Sequence, residues 1–222
     1  MDARSRLVQF LRALPAPLES RLAQLKDEGI AERGRPDFLW YQLVTSASTL
    51  GNSRGFDGLM ADPDNMHRIR YESLEPLPRL ERSRIIEDVF RKAKVRMPGI
   101  KAEELAGNVD LIKQMGGLAA ANERAGSLSG RKAKLAFMQQ FAGIGAKYAR
   151  NIWMTVYDGD FHDAIALDVR VNKVSALLGQ TAGSYTEQEG YFQRIAKDAG
   201  RQAWELDRIM YWFSDDVLTA MQ

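Results

Sequence analysis

Apolar residues in this chain recur every third or fourth position and almost nowhere every second, and that periodicity restricts it to an all-α fold. ARSRLVQFLRAL places Leu7, Phe10, Leu11 and Leu14 on one helical face. LESRLAQLKDEG, after Pro15 and Pro17, reads as a second short helix ending at Gly29. PDFLWYQLVTSASTLG reads as a buried helix stopped by Gly51. LPRLERSRIIEDVFRKAK, with Leu80, Ile85, Ile86, Val89 and Phe90, again reads as a helix and is expected to end at Pro98-Gly99. KAEELAGNVDLIKQMGGLAAANERAG gives one or two further helices, and EGYFQRIAKDAG and QAWELDRIMYWFSDDVLTAM are both amphipathic. GNSRGFDGLMADPDN, rich in Gly, Asn, Asp and Pro, is expected to contain loops. DAIAL is too short to argue for a strand, and no long-period repeat occurs.

The 222 residues suffice for one domain or two small interlocked ones. With 45% hydrophobic and 27% charged residues the composition is that of a soluble globular protein. The absence of cysteine excludes disulfides, thiolate nucleophiles, zinc–thiolate sites and iron–sulfur clusters. Only two histidines are present, which argues against a histidine-rich metal site, so no metal and no other cofactor is expected. MDARSRLVQFLRALPAP shows no signal-peptide apolar region, and no apolar run reaches membrane length, so a cytoplasmic protein without membrane contact is expected.

The stretch FAGIGAKYARNIW, residues 141–153, carries the first sign of function. RKAKLAFMQQF predicts a helix burying Leu135, Met138 and Phe141, and AKYARNIWMTVY a second burying Ala149, Ile152, Trp153 and Val156. Only AGIG lies between, and so short a turn requires residues that tolerate positive φ, which Gly143 and Gly145 do. A helix–hairpin–helix unit results, and backbone N–H groups at its turn, aided by the helix dipole, bind a phosphate. Between Glu123 and Asp158 no acidic residue occurs, while Arg124, Arg131, Lys132, Lys134, Lys147 and Arg150 do. The clustering favours a nucleic-acid backbone as partner. An ordinary αα-hairpin with a solvated basic face is the alternative.

Lys147 falls in the first turn of the second helix, where the positive dipole end and neighbouring cations disfavour its charge. A free amine there is a nucleophile, and a plain phosphate contact is the alternative. In AIALDVRVNKVSALLG an extended apolar piece delivers Asp168 to the start of another helix. Taken singly, Asp168 is a helix N-cap.

Taken together, residues 141–174 resemble the helix–hairpin–helix DNA glycosylase superfamily, which includes endonuclease III and the 8-oxoguanine glycosylases. Its pattern is a hairpin of the type Leu-Pro-Gly-Val-Gly-x-Lys, a Gly/Pro-rich loop, then Val-Asp-x-His-Val-x-Arg-Val. This chain has Phe141-Ala142-Gly143-Ile144-Gly145-Ala146-Lys147, the loop YDGDFHDAIA, and Leu167-Asp168-Val169-Arg170-Val171-Asn172-Lys173-Val174. It departs in Ala142 for the usual proline, Arg170 for a frequent histidine and Lys173 for a frequent arginine. Without cysteine, it resembles the cluster-free branches, the 8-oxoguanine glycosylase/lyases in particular.

The resemblance implies a monomeric base-excision enzyme acting on double-stranded DNA that contains a damaged base, which is flipped from the stack into a pocket. Lys147 would attack the sugar C1′ and form a Schiff base. Asp168 would stabilise positive charge on the sugar or help activate the amine. Gly143, Gly145, Lys132, Lys134, Arg150, Arg170 and Lys173 would hold the DNA backbone. Trp212 or Phe213 would stack on the base, with Tyr211, Phe38, Trp40 and Tyr41 as further aromatic candidates, although the spacing of each favours core packing in a helix. Asn52 in TLGNSRG would fill the gap in the duplex, with loop capping as its alternative. Two helical lobes are implied, residues 1–38 with 165–222 and residues 39–164, with the hairpin and Asp168 meeting at the cleft. A monofunctional glycosylase for alkylated or mismatched bases and a non-catalytic helix–hairpin–helix DNA-binding protein remain open, and the second of these would need no Asp168.

Overall fold

The computed structural model describes residues 1–49 and 51–222, with Val169 described by its backbone alone. All regular structure among the described residues is helical, and residues 164–168 run extended without pairing as a strand. No helix among them is long and apolar enough to cross a membrane. The chain divides into two compact units, one of residues Arg33–Ile152 and one joining Met1–Glu32 to Trp153–Gln222. The helix Ala146–Thr155 carries the chain from the first unit into the second.

In the unit Arg33–Ile152, the helix Phe38–Ser48 is buried along most of its length. Phe38 and Trp40 belong to this core, and the Trp40 indole N–H donates to the Ile69 carbonyl at 2.8 Å, so neither offers a face to a ligand. The helices Arg79–Lys92 and Pro98–Gln114 pack side by side and antiparallel. Buried Arg82 ties them together: its guanidinium meets Asp110 at 2.5 Å and donates to the carbonyls of Leu74 and Leu77 at 3.1 and 2.8 Å. Pro98-Gly99 does not end the first helix but opens the second, because proline's missing N–H and fixed φ suit a first helical position. Leu80 is exposed on the outer side of the first of these helices. GNSRGFDGLMADPDN folds largely into two short helices, Arg54–Met60 and Pro63–Arg68. Gly58 lets the first of these press on the backbone of Ala93, so a residue that reads as a loop signal is a packing contact.

In the other unit, the helix Ala3–Arg12 buries Leu7, Val8 and Leu11 against the C-terminal helices. QAWELDRIMYWFSDDVLTAM is two helices, Ala203–Trp212 and Ser214–Met221, broken at Phe213. Trp204 is fully packed, and its indole N–H donates to the Met154 carbonyl at 2.6 Å.

The second helix of the chain does not stop at Gly29 but runs from Ala16 to Arg33. A Cβ on Gly29 would lie 2.6 Å from the Thr155 carbonyl oxygen and 3.1 Å from the Val156 carbonyl carbon. Glycine is there because two backbones touch. In an open helix Gly→Ala stabilises by up to about 1 kcal/mol. At Gly29 the sign reverses, and Gly29→Ala is expected to cost about 1–3 kcal/mol, read as a lower urea midpoint at unchanged slope.

Candidate active site and nucleic-acid interface

The hairpin is built from the helices Arg131–Met138 and Ala146–Thr155. The first is shorter than expected, and residues 139–141 close it with single-turn hydrogen bonds, Gln140 N–H to Phe137 O and Phe141 N–H to Met138 O, both at 3.2 Å. Its inward row is Lys134, Phe137, Met138 and Phe141, with Phe137 edge-on to Phe141 at 5.6 Å, while Leu135 is half-buried. Lys134 is therefore corrected as a backbone contact: spaced three and four residues from Phe137 and Met138, it is turned inward with them and only 4% exposed. Lys132 stays on the exposed side, and Arg131 and Arg150 are half-exposed.

The turn meets the helix Pro98–Gln114 through a reciprocal pair of bonds. The Asn108 side-chain amide donates to the Ala142 carbonyl at 3.0 Å, and the Ala142 N–H donates to Asn108 Oδ1 at 2.8 Å. Gly143 has φ +82°, and a Cβ there would collide with the carboxylate of Glu104, which pairs with Lys101 at 2.7 Å. Gly145 differs from the expectation. Its φ is not positive, and a Cβ there would meet nothing within 4 Å. Its carbonyl accepts from Ala149 N–H at 2.9 Å, so it stands as N-cap of the second helix. Among the described residues none accepts from the N–H groups of Gly145, Ala146 or Lys147. Free donors at a helix start, with open space where a side chain would stand, make a cradle whose geometry can accept an anion.

The two glycines therefore answer to different demands. Gly143→Ala is expected to destabilise, through positive φ and through Glu104. Gly145→Val is expected to leave the thermal midpoint nearly unchanged, yet to weaken binding of damaged and undamaged duplex alike, because backbone contacts carry no lesion information. A fall in the midpoint without loss of affinity would mean that Gly145 serves the fold only.

Lys147 is exposed, in the first turn behind this cradle, and no acidic side chain among the described residues pairs with it. Next to it Tyr148 is partly buried, which raises its phenol above the usual range, while a hydrogen bond with Thr49 acts the other way.

Asp168 lies in the other unit, at the end of the extended segment 164–168. That segment is held by side chains, not by a neighbouring strand. Gln193 donates to Asp163 O at 2.7 Å, and buried Glu189 and Asp207 accept from the N–H groups of Ile165 and Ala166 at 3.0 and 2.7 Å. The Tyr185 hydroxyl donates to Ile165 O at 2.6 Å. Asp168 is the N-cap of the helix Val169–Leu177, its Oδ1 accepting from Arg170 and Val171 N–H at 2.8 and 3.0 Å. Among the described residues no donor reaches its Oδ2. One carboxylate oxygen fixes the side chain, and the other takes no part in the cap.

Beside Asp168 the surface is aromatic and cationic. The Arg170 guanidinium lies 4.0 Å over the Tyr211 ring, Tyr211 meets Trp212 edge-on at 5.4 Å, and Arg21 lies 5.4 Å from the Trp212 ring. Tyr211 is 40% and Trp212 50% exposed, so they stand on the surface and not in the core. Phe213 is half-buried at the break between the last two helices. Lys173 is exposed one turn beyond Arg170. In the first unit, Asn52 is exposed and its Oδ1 accepts from Arg54 N–H at 3.0 Å, a loop-capping bond. Among the described residues no group of three His, Asp or Glu is placed to hold a metal ion.

No protein-family model matches the chain, and no curated protein does. Among solved structures it is similar to the 8-oxoguanine DNA glycosylase of Thermotoga maritima, with a TM-score of 0.69 and 17% identity over 95% of this chain and 96% of that one. The 8-oxoguanine DNA glycosylase of Methanocaldococcus jannaschii gives a TM-score of 0.64 and 17% identity over 93% and 92%. The 8-oxoguanine glycosylase/lyase of the same organism, in complex with 15mer DNA containing 8-oxoguanine, gives 0.63 and 14% over 95% and 95%. At these identities the likeness is one of fold. The chain shares the all-helical fold of these solved structures over nearly its whole length.

Proposed function

We propose that this chain is a DNA glycosylase with associated lyase activity, removing an oxidised base, 8-oxoguanine before others, from double-stranded DNA. One observation carries the reading: in a chain with the glycosylase fold, an exposed and unpaired lysine stands in the first helical turn behind an open anion cradle. Asp168, with one oxygen uncommitted, supports it.

In the proposed reaction the cradle at Gly145 holds a backbone phosphate while the damaged nucleotide is flipped. The Lys147 amine forms a bond to C1′. The C1′–N bond breaks with its electron pair going to the base, which leaves as it takes up a proton. Asp168 stabilises the positive charge that develops on the sugar. Ring opening gives the imine between Nζ and C1′. Loss of a C2′ proton then expels the 3′-phosphate and breaks the strand, and water releases the lysine. The exposed aromatic pair Tyr211 and Trp212 is the surface on which a base would stack. The amine route needs no metal, so a chelator should leave the rate unchanged.

Duplexes carrying single lesions, assayed separately for free base and for strand breaks, test the reading. Release of 8-oxoguanine together with breaks that need no alkali is expected. Base release without breaks would make the enzyme monofunctional. Tight binding with neither product would leave a non-catalytic DNA-binding protein.

A further inference from the structure

Asparagine is a poor helix former, and one in the middle of a long helix on its buried face needs a reason. Asn108 occupies such a place, 2% exposed in the helix Pro98–Gln114, in register with Leu105, Val109 and Ile112. Its amide is satisfied by a single residue: Nδ2 donates to Ala142 O at 3.0 Å and Oδ1 accepts from Ala142 N–H at 2.8 Å. Pairing both polar groups of one residue fixes the peptide planes on either side of it. The next residue is Gly143, held at φ +82° with the Glu104 carboxylate against it, one helical turn before Asn108. Two residues further on, the N–H groups of Gly145, Ala146 and Lys147 are free. Ala142, Gly143 and Gly145 are themselves exposed, so the turn is seated on one side only.

We propose that Asn108 is a positioning residue for the phosphate grip: its two-way bond to Ala142 sets the direction of the hairpin's free N–H groups before DNA arrives. The inference rests on the reading of the hairpin as a phosphate contact. A preset cradle does not have to be ordered on binding, so the clamp acts on affinity and not on the chemical step. Asn108 touches neither the sugar nor the base.

Asn108→Leu removes both bonds while keeping the number and branching of the side-chain heavy atoms. Three quantities are read: affinity for undamaged duplex as a function of salt, single-turnover base release at saturating enzyme, and amide hydrogen exchange of the free protein. Expected are an affinity about tenfold lower, a shallower salt slope, a saturated rate within about twofold of wild type, and faster exchange at Ala142 with the core unchanged. In a Gly145→Val background, Asn108→Leu should weaken binding little further, because both act through one cradle. Unchanged affinity, a loss confined to the saturated rate, or full additivity with Gly145→Val would overturn the role. Should the leucine variant fail to fold, Asn108→Asp, which keeps the bond from Ala142 N–H, is judged by the same readouts. A wild-type protein that binds no duplex would sink the functional reading instead, and slow exchange at Ala142, lost in the variant, would still establish the clamp.

Discussion

Lys147→Gln is expected to abolish strand breakage at a lesion while leaving the protein folded and bound to DNA. The side chain is exposed and has no ion-pair partner among the described residues, so its replacement should change stability by no more than about 0.5 kcal/mol. Glutamine keeps most of the length and the helix propensity and loses the amine. Without a nucleophile no imine forms, and the break that follows from it should fall by about a thousandfold or more. Duplex affinity should drop by only a few fold, the share of one cation among several. Breakage at a tenth or more of the wild-type rate would place the nucleophile on another residue. A loss of binding equal to the loss of breakage would reduce Lys147 to a phosphate contact.

Asp168→Asn should separate binding from chemistry more sharply still. Asparagine caps helices about as well as aspartate, so the bonds from Arg170 and Val171 N–H survive and the helix Val169–Leu177 keeps its start. The other oxygen becomes an amide, which cannot stabilise a cationic sugar. Excision is expected to fall by about 10²–10³-fold at unchanged thermal midpoint and unchanged affinity. Excision near the wild-type rate would leave Asp168 a cap and nothing more, and would place the stabilisation of the sugar on another residue.

The helical class was legible because apolar spacing reports which face of a helix is buried, whatever it is buried against. The hairpin and Asp168 were legible because short turns and caps are local chemistry. What failed were residues whose role is set by distant parts of the chain. Gly29 and Gly58 read as breakers and are contact points between backbones. Pro98-Gly99 read as a stop and is a start, since a local breaker marks a boundary without saying which side of it is helical. Lys134 counted toward a basic surface on its sign alone, while its register with Phe137 and Met138 turned it inward.

The supporting residues left one signal that could have been read, a polar side chain inside an apolar row. Asn108 shares its face with Leu105 and Ile112, Glu189 with Phe192 and Ala196, and Asp207 with Ala203 and Met210. Each is buried, and each hydrogen-bonds a backbone N–H, of the hairpin or of the segment leading to Asp168. Burying such a group without a partner costs free energy, so a polar residue in an apolar register predicts a backbone group to be held. The sequence does not say which one.

The most direct test of the account is chemical capture of the intermediate. The protein is mixed with a duplex carrying one 8-oxoguanine in the presence of borohydride, digested, and the DNA-bearing peptide sequenced by mass spectrometry. Reduction of the imine should leave a stable adduct on Lys147, within the segment 141–153, and none with an undamaged duplex. Release of the base with no adduct, or an adduct on a different lysine, would contradict the assignment of the lyase chemistry to the hairpin.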